Sequence, residues 1–171
     1  MTLECGCPES FPDWHEQDID LGGTAAHILG IPTFLHMPLS YGIYAARQHQ
    51  AVEQLELKER YPGLMLTKTG VLRGKIISLL EQGNSPSRFV QSLPLDFKLR
   101  GYLHPGGIGT IREAHRALQS TLFDLGRMPK EMYLCYLTCP RCADDRGGDK
   151  ILVLRRWQAS TILQRRLNKQ G

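Results

Sequence analysis

Five cysteines carry the most specific chemistry in the sequence, and they fall into two clusters about 130 residues apart: Cys5 and Cys7 in one, Cys135, Cys139 and Cys142 in the other. The spacings read Cys5-Gly-Cys7-Pro8 and Cys139-Pro140-Arg141-Cys142. A Cys-Pro-X-Cys turn resembles half of a zinc knuckle, because a tight turn aims two thiolates at one ion. Tetrahedral zinc needs four ligands, so Cys5 and Cys7 are the natural complement of Cys139 and Cys142, with His15 as a substitute. That reading requires the amino terminus to lie beside residue 139. Two alternatives stand next to it: a redox pair, although this Cys-X-X-Cys does not open a helix after a strand, and plain reduced thiols. Cys135 lies within an apolar run and reads as a small core residue.

Histidines, tyrosines and acids supply the remaining candidates. Side chains alternate along a strand, so Phe34 and His36 share one face, as do Tyr102 and His104. If the two segments occupy equivalent positions, the imidazoles converge on one groove and can hold a metal or move protons near neutral pH. Otherwise each histidine simply caps the turn before the following proline. Tyr133 and Tyr136 take opposite faces, so only one of them can line a pocket, while Tyr41 and Tyr44 fit a helix face directed at the core. In Asp13-Trp-His-Glu-Gln-Asp-Ile-Asp20, carboxylates stand near His15; the segment is either acid–base or cation-binding equipment or an acidic loop anchored by Trp14. No Walker loop, dinucleotide fingerprint, nucleophile elbow or His-Glu-X-X-His occurs. The Pro105-Gly-Gly-Ile-Gly109 stretch suits a tight turn and matches no phosphate motif.

These residues must be positioned by a small set of elements. Residues 1–30 form an acidic, loop-rich lead-in with Pro8, Pro12, Gly22 and Gly23. A strand over 32–37 then leads to a helix from Tyr41 to Leu57, whose apolar positions recur at helical spacing, and to strands over 64–69 and 75–80. After a turn-rich connector the order repeats: a strand over 97–104, a helix over 108–125 stopped by Gly126 and Pro129, and strands over 132–138 and 151–155. The order β, α, β, β therefore occurs twice, in halves spanning about 31–81 and 95–157, with Leu35-His36 and Leu103-His104 in corresponding places. Residues 156–171 complete the chain as a basic amphipathic helix with Trp157 turned inward, residues 158–171 forming the tail.

The chain has 171 residues, 42% of them apolar and 22% charged, a composition suited to one folded domain with a buried core. Its net charge of +4 conceals a gradient. Residues 1–46 carry six acids and no Lys or Arg, and residues 150–171 carry six Lys or Arg and no acid. The basic end either contacts nucleic acid or an acidic partner, or is a solvated helix facing the acidic lead-in. No apolar run reaches membrane-spanning length, the amino terminus lacks the features of a secretory signal, and no helix-turn-helix precedes the domain. The expectations are a cytoplasmic location, no membrane, and no direct DNA binding. The sequence leaves the oligomeric state open.

The segment Gly101-Tyr-Leu-His-Pro-Gly-Gly-Ile-Gly-Thr110, its helix, Gly126-Arg-Met-Pro129 and Tyr133-Leu-Cys-Tyr-Leu-Thr-Cys-Pro140 resemble the second half of the GyrI-like small-molecule-binding family. The resemblance extends over about residues 31–157. It implies an α+β domain of two β-α-β-β halves related by a pseudo-twofold axis, with an antiparallel sheet, both helices on one face, and a groove where the halves meet. It also implies an aromatic pocket with a buried glutamate for cationic lipophilic ligands. The candidates to line it are Phe34, His36, Tyr102, His104, Glu131 and either Tyr133 or Tyr136, Glu131 standing one or two positions from the family's usual place. The expected function is binding of a small, partly apolar organic molecule by a stand-alone sensor or protective binder. Hydrolysis of a reactive small molecule in the same groove is the alternative, with no catalytic residue assigned, and a zinc-stabilised interaction module is the second.

Overall fold

A computed structural model describes residues 1–171. Nine strands pair into one antiparallel sheet: β1 (Asp18–Asp20), β2 (Ala25–Phe34), β3 (Met37–Pro38), β4 (Met65–Lys68), β5 (Arg73–Leu79), β6 (Val90–Ser92), β7 (Lys98–His104), β8 (Arg127–Tyr136) and β9 (Ile151–Ala159). Their order across the sheet is β1-β7-β9-β8-β4-β5-β2-β3, with β6 also on β2. The helices are α1 (Tyr41–Gln54), α2 (Arg112–Asp124) and α3 (Thr161–Gln170). The fold class is therefore α+β, and the β, α, β, β order recurs as β2-α1-β4-β5 and β7-α2-β8-β9. The two sets meet at β4 and β8, where Thr67 faces Leu134. No helix is long and apolar enough to cross a membrane.

Strand alternation divides the apolar residues between two layers. Ile31, Met65 and Ile76 face α1 through Tyr41, Tyr44 and Ala45, and Leu134, Ile151 and Val153 face Ala114 and Leu118 of α2. Since Thr67 and Leu134 share a face across the central seam, both helices lie on the same side of the sheet. The alternate residues, among them Leu66, Ile77, Tyr133, Cys135, Leu152 and Leu154, enter a larger cluster with Leu21, Leu64, Leu93 and Phe97. Phe11, Trp14 and Tyr61 cover that cluster, with Trp14 meeting Tyr61 edge-on at 5.2 Å. The lead-in thus forms the second layer on the face away from the helices.

Several boundaries differ from the sequence reading. The first strand starts at Ala25 inside the expected lead-in and ends at Phe34; Leu35 and His36 are a two-residue hairpin turn with φ of 47° and 67°. Apolar alternation alone does not disclose that turn, because Leu-His lacks the Asn-Gly chemistry such turns favour. Asp18–Asp20 is an edge strand on β7, with Asp18 accepting hydrogen bonds from Arg100 at 3.1 Å and Arg127 at 2.8 Å. The acidic lead-in is therefore matched by internal arginines rather than by the basic tail. Residues 156–159 extend β9 instead of opening the last helix, which begins at Thr161 behind a Ser160 cap. Trp157 is half-buried on that strand, with the Arg127 guanidinium 3.9 Å from its ring centroid.

Buried polar groups fix α1 to the sheet. Gln48, fully buried, donates to the His27 carbonyl at 2.8 Å and to the Ser78 hydroxyl at 3.1 Å, while its Oε1 lies 2.9 Å from His27 Nδ1. Glu59, on the segment after α1, has one carboxylate oxygen buried without a hydrogen-bond partner, and burial pushes its carboxyl above the ordinary value. The raised folded-state value means that the native protein holds this proton more tightly than the unfolded chain, so stability falls as pH rises through that window.

Two outcomes follow from this packing. A Cβ at Gly101 would stand 2.1 Å from the Trp14 carbonyl oxygen, a backbone atom that cannot yield. Gly101→Ala should cost about 2 kcal/mol or more in urea unfolding, with Trp fluorescence reporting displacement of the lead-in. Glu59→Gln should stabilise the protein by about 1 kcal/mol at pH 7, and the gain should vanish once the pH is well below the ordinary glutamate value of 4.5.

Candidate metal centre

The lead-in returns to the far end of β8 and brings the two cysteine pairs together. Gly6 at φ 84°, a conformation that favours glycine, turns the chain between Cys5 and Cys7. On the other strand end, Cys142 and Ala143 donate their amides to the Cys139 carbonyl at 3.0 and 2.9 Å, closing the Cys-Pro-Arg-Cys turn. The Cys139 amide points at Cys142 Sγ at 3.4 Å. Arg146 clamps the arrangement by donating to the carbonyls of Pro8 and Leu137, both at 2.9 Å.

The sulfurs of Cys5, Cys7, Cys139 and Cys142 all lie within 4.8 Å of one another. Cys139 Sγ and Cys142 Sγ are 3.9 Å apart and all five cysteines are free thiols. A tetrahedron with metal–sulfur bonds of about 2.3 Å has edges of about 3.8 Å, so the cluster has the size and donor set for one ion. Burial and hydrogen bonds from the other three thiols push the Cys7 thiol up. For Cys139, burial raises the thiol, but the Arg141 amide and the neighbouring thiols outweigh it and bring the value down to about 7. The cluster thus already favours a thiolate at Cys139. His15 is not part of it: its Nδ1 accepts from the Leu103 amide at 3.0 Å, and its ring packs on Tyr102. Cys135 stands apart, fully buried in the core.

Beside the cysteines lies a cavity of about 930 Å³ between α1, residues 2–7 and the Cys139 turn. Its apolar wall is Met65, Ala45 and the edge-to-face pair Tyr41 and Tyr136, with ring centroids 5.0 Å apart. Its polar groups come from His49, Gln50 and Glu53 on α1, and from Thr138 and Arg141. Tyr41 Oη lies 3.5 Å from Thr67 Oγ1, and burial pushes the phenol up to about 12, so it remains neutral at physiological pH. Tyr136 is likewise raised by burial.

The other sequence candidates are dispersed. Tyr136 lines this cavity, while Tyr133 takes the opposite face and packs on Phe97 within the core. His104 is buried with its Nε2 2.8 Å from Thr110 Oγ1, and His36 sits exposed in the β2–β3 turn. Four strands separate β2 from β7, or roughly 24 Å along the sheet at about 4.8 Å per pairing, so the two histidines do not meet. Phe34 is exposed at the same turn, and Tyr102 packs beneath α2. Glu131 lies 3.6 Å from Arg156 and 4.0 Å from Lys68, which neutralise it from within the chain. His49 and Glu53 escaped the sequence reading, although they stand four residues apart on one helix face, a spacing that places both beside the same groove; Tyr41, read as a core residue, packs on the core and also borders the cavity.

The fold has known relatives. The crystal structure of the EcmrR C-terminal domain superposes with a TM-score of 0.61 at 12% identity, covering 83% of this chain and 96% of that one. A hydrolase from Listeria innocua gives 0.57 at 10% identity, covering 86% and 94%. EcmrR in its DNA complex gives 0.56 at 11%, and there the match takes in 56% of the longer chain. At these identities the likeness is one of fold, consistent with the GyrI-like resemblance of the sequence. No curated protein matches the sequence. The family described as Bacterial hydrolase matches residues 2–156, taking in both cysteine pairs, and the chain belongs to that family.

Proposed function

We propose that the protein binds a small, partly apolar organic molecule in the cavity between α1 and the cysteine cluster, and that Cys5, Cys7, Cys139 and Cys142 hold a structural zinc. The observation that carries this reading is adjacency: Cys5, Cys7 and Cys139 belong both to the four-sulfur cluster and to the cavity wall. Four thiolates complete a tetrahedral shell and leave no position for water, so zinc here supplies rigidity rather than a reacting centre. The Tyr41–Tyr136 pair and Met65 favour an apolar ring system, and His49, Glu53 and Arg141 provide polar ends for its substituents. The cavity lies at the seam between the two β-α-β-β sets, in keeping with halves related by a pseudo-twofold axis.

Hydrolysis is the second reading, favoured by the family's description and by the Listeria hydrolase of similar fold. In it, His49 or Glu53 would act as the base that takes a proton from water beside a bound substrate, since the metal shell is closed.

Elemental analysis of protein purified without added metal should find one zinc per chain, with Cys139→Ser losing it. Chelation should lower stability by about 3 kcal/mol or more, and acidification should release the ion because each thiol must shed its proton to bind. Protein without zinc, folded and of unchanged stability, would remove the metal from the reading. For the cavity, Ala46→Trp places a large side chain at an exposed wall position without entering the core. A thermal-shift screen of aromatic small molecules should give hits on the wild type that this variant loses. Turnover of 4-nitrophenyl acetate that falls at least tenfold in His49→Ala would move the assignment to the hydrolase.

A further inference from the structure

One end of the sheet carries an apolar surface that nothing in the chain covers. Phe34, Leu35, Met37, Leu39, Ile43, Val71 and Leu72 are each between 47% and 67% exposed. They are neighbours in space because the two hairpin tips bond to each other: the Leu35 amide donates to the Val71 carbonyl at 2.9 Å, that of His36 to Gly70 at 3.1 Å, and that of Thr33 to Leu72 at 3.2 Å. Leu39 donates to Pro32 at 3.1 Å, which brings the start of α1 and Ile43 to the same end. With about half or more of each residue in solvent, the seven together present several hundred Å² of apolar surface. That is of the size of the largest apolar patch on a typical monomer, roughly 300–600 Å², and a large part of the roughly 800 Å² each partner contributes to a stable interface.

The backbone at this tip is held against its preference. Leu35 and His36 occupy the two left-handed positions of a two-residue turn, with φ of 47° and 67°. Asn-Gly adopts that turn more readily, because glycine has no Cβ to clash and asparagine tolerates the left-handed region. The tip therefore keeps a large apolar side chain where the turn alone would favour a small polar one, a local conflict of the kind that marks functional surfaces.

We propose that this tip is the interface of a homodimer, two copies packing their Phe34–Leu39 and Val71–Leu72 surfaces across a twofold axis. Charge favours a second copy over other occupants. Residues 21–52 contain no Asp or Glu and only Arg47 as a formal cation, and Arg73 is the one charge in residues 69–74. A nearly neutral surface meets little repulsion from its own copy, offers no charge pattern to a charged partner, and lacks the cluster of Lys and Arg that anchors a protein to anionic lipid. Pro38 has no N–H to offer along the outer edge of β3, and that strand is two residues long. Strand addition is thereby blocked, and side-chain packing closes on two copies instead of growing.

Sedimentation velocity on the full chain across a concentration series decides the matter. The wild type should approach twice its 19.3 kDa mass at tens of micromolar. Leu35→Asn with His36→Gly removes apolar surface while supplying the favoured turn, so it should fold at least as stably by urea titration yet weaken the dimer roughly 100-fold or more. Leu72→Lys, on the facing tip, should do the same by like-charge repulsion. A wild type monomeric up to 200 μM overturns the proposal, as does a dimer that survives both variants. A monomer that instead floats with phosphatidylcholine–phosphatidylserine vesicles, and loses this in Leu72→Asp, overturns it in favour of a membrane.

Discussion

Everything distinctive about this molecule depends on the pinning of its amino terminus to the turn after β8. Arg146 ties Pro8 and Glu9 to Leu137, and the four cysteine sulfurs gather beside it, closing a loop of more than 130 residues. A covalent link over such a loop removes roughly 5 kcal/mol of chain entropy from the unfolded state, and an ion held by the four sulfurs would draw on the same effect. The pinned strap then serves both faces of the sheet. Residues 2–7 form a wall of the cavity beside α1, and from Phe11 onward the chain covers the opposite face with Trp14 and Leu21.

That second role alters what the fold can do. The resemblance implies a ligand groove with Tyr133 and Glu131 among its candidate lining residues, and the sheet face that carries Tyr133 is closed in this chain. Here it is occupied by Leu21, Leu64, Leu93 and Phe97 beneath Phe11 and Trp14. Tyr133 is consequently a core residue, and Glu131 is balanced by Lys68 and Arg156. The room that remains lies on the helix side, where Tyr136 and Tyr41 meet. Of the two strand tyrosines, Tyr136 borders the cavity and Tyr133 does not.

The repeated element order was legible because α2 and its flanking strands carry strong periodicity and clear stops, Gly126 above all. The cysteine cluster was half legible: the Cys-X-Cys and Cys-Pro-X-Cys spacings each suggest a pair of metal ligands, but their meeting depends on a strap whose course is set by long-range packing. The β2–β3 turn was not legible, since Leu35 and His36 have no turn chemistry of their own and are held by donating their amides to the carbonyls of Val71 and Gly70. The histidine pairing failed for a related reason. Equal places in the two halves do not bring residues together when their strands sit at opposite flanks of the sheet. His49 and Glu53 stayed hidden because nothing in an amphipathic helix tells which of its polar residues will border a cavity.

The charge gradient along the sequence shows how sequence complementarity misleads about contact. The acidic lead-in and the basic tail were natural partners by sign, yet Asp18 takes Arg100 and Arg127, while burial opposes and the two guanidiniums together favour its ionised form. Arg156 takes Asp96 and Glu131 and lies over Phe97. Once these pairs form within the sheet, Arg165, Arg166 and Lys169 on α3 remain outside the described ion pairs. The tail is therefore a solvated cationic helix in the isolated chain, capped by Ser160 and resting near Gly126 through Gln164. The cavity and the cysteine cluster do not depend on it, in line with a family match that ends at residue 156, before α3 begins.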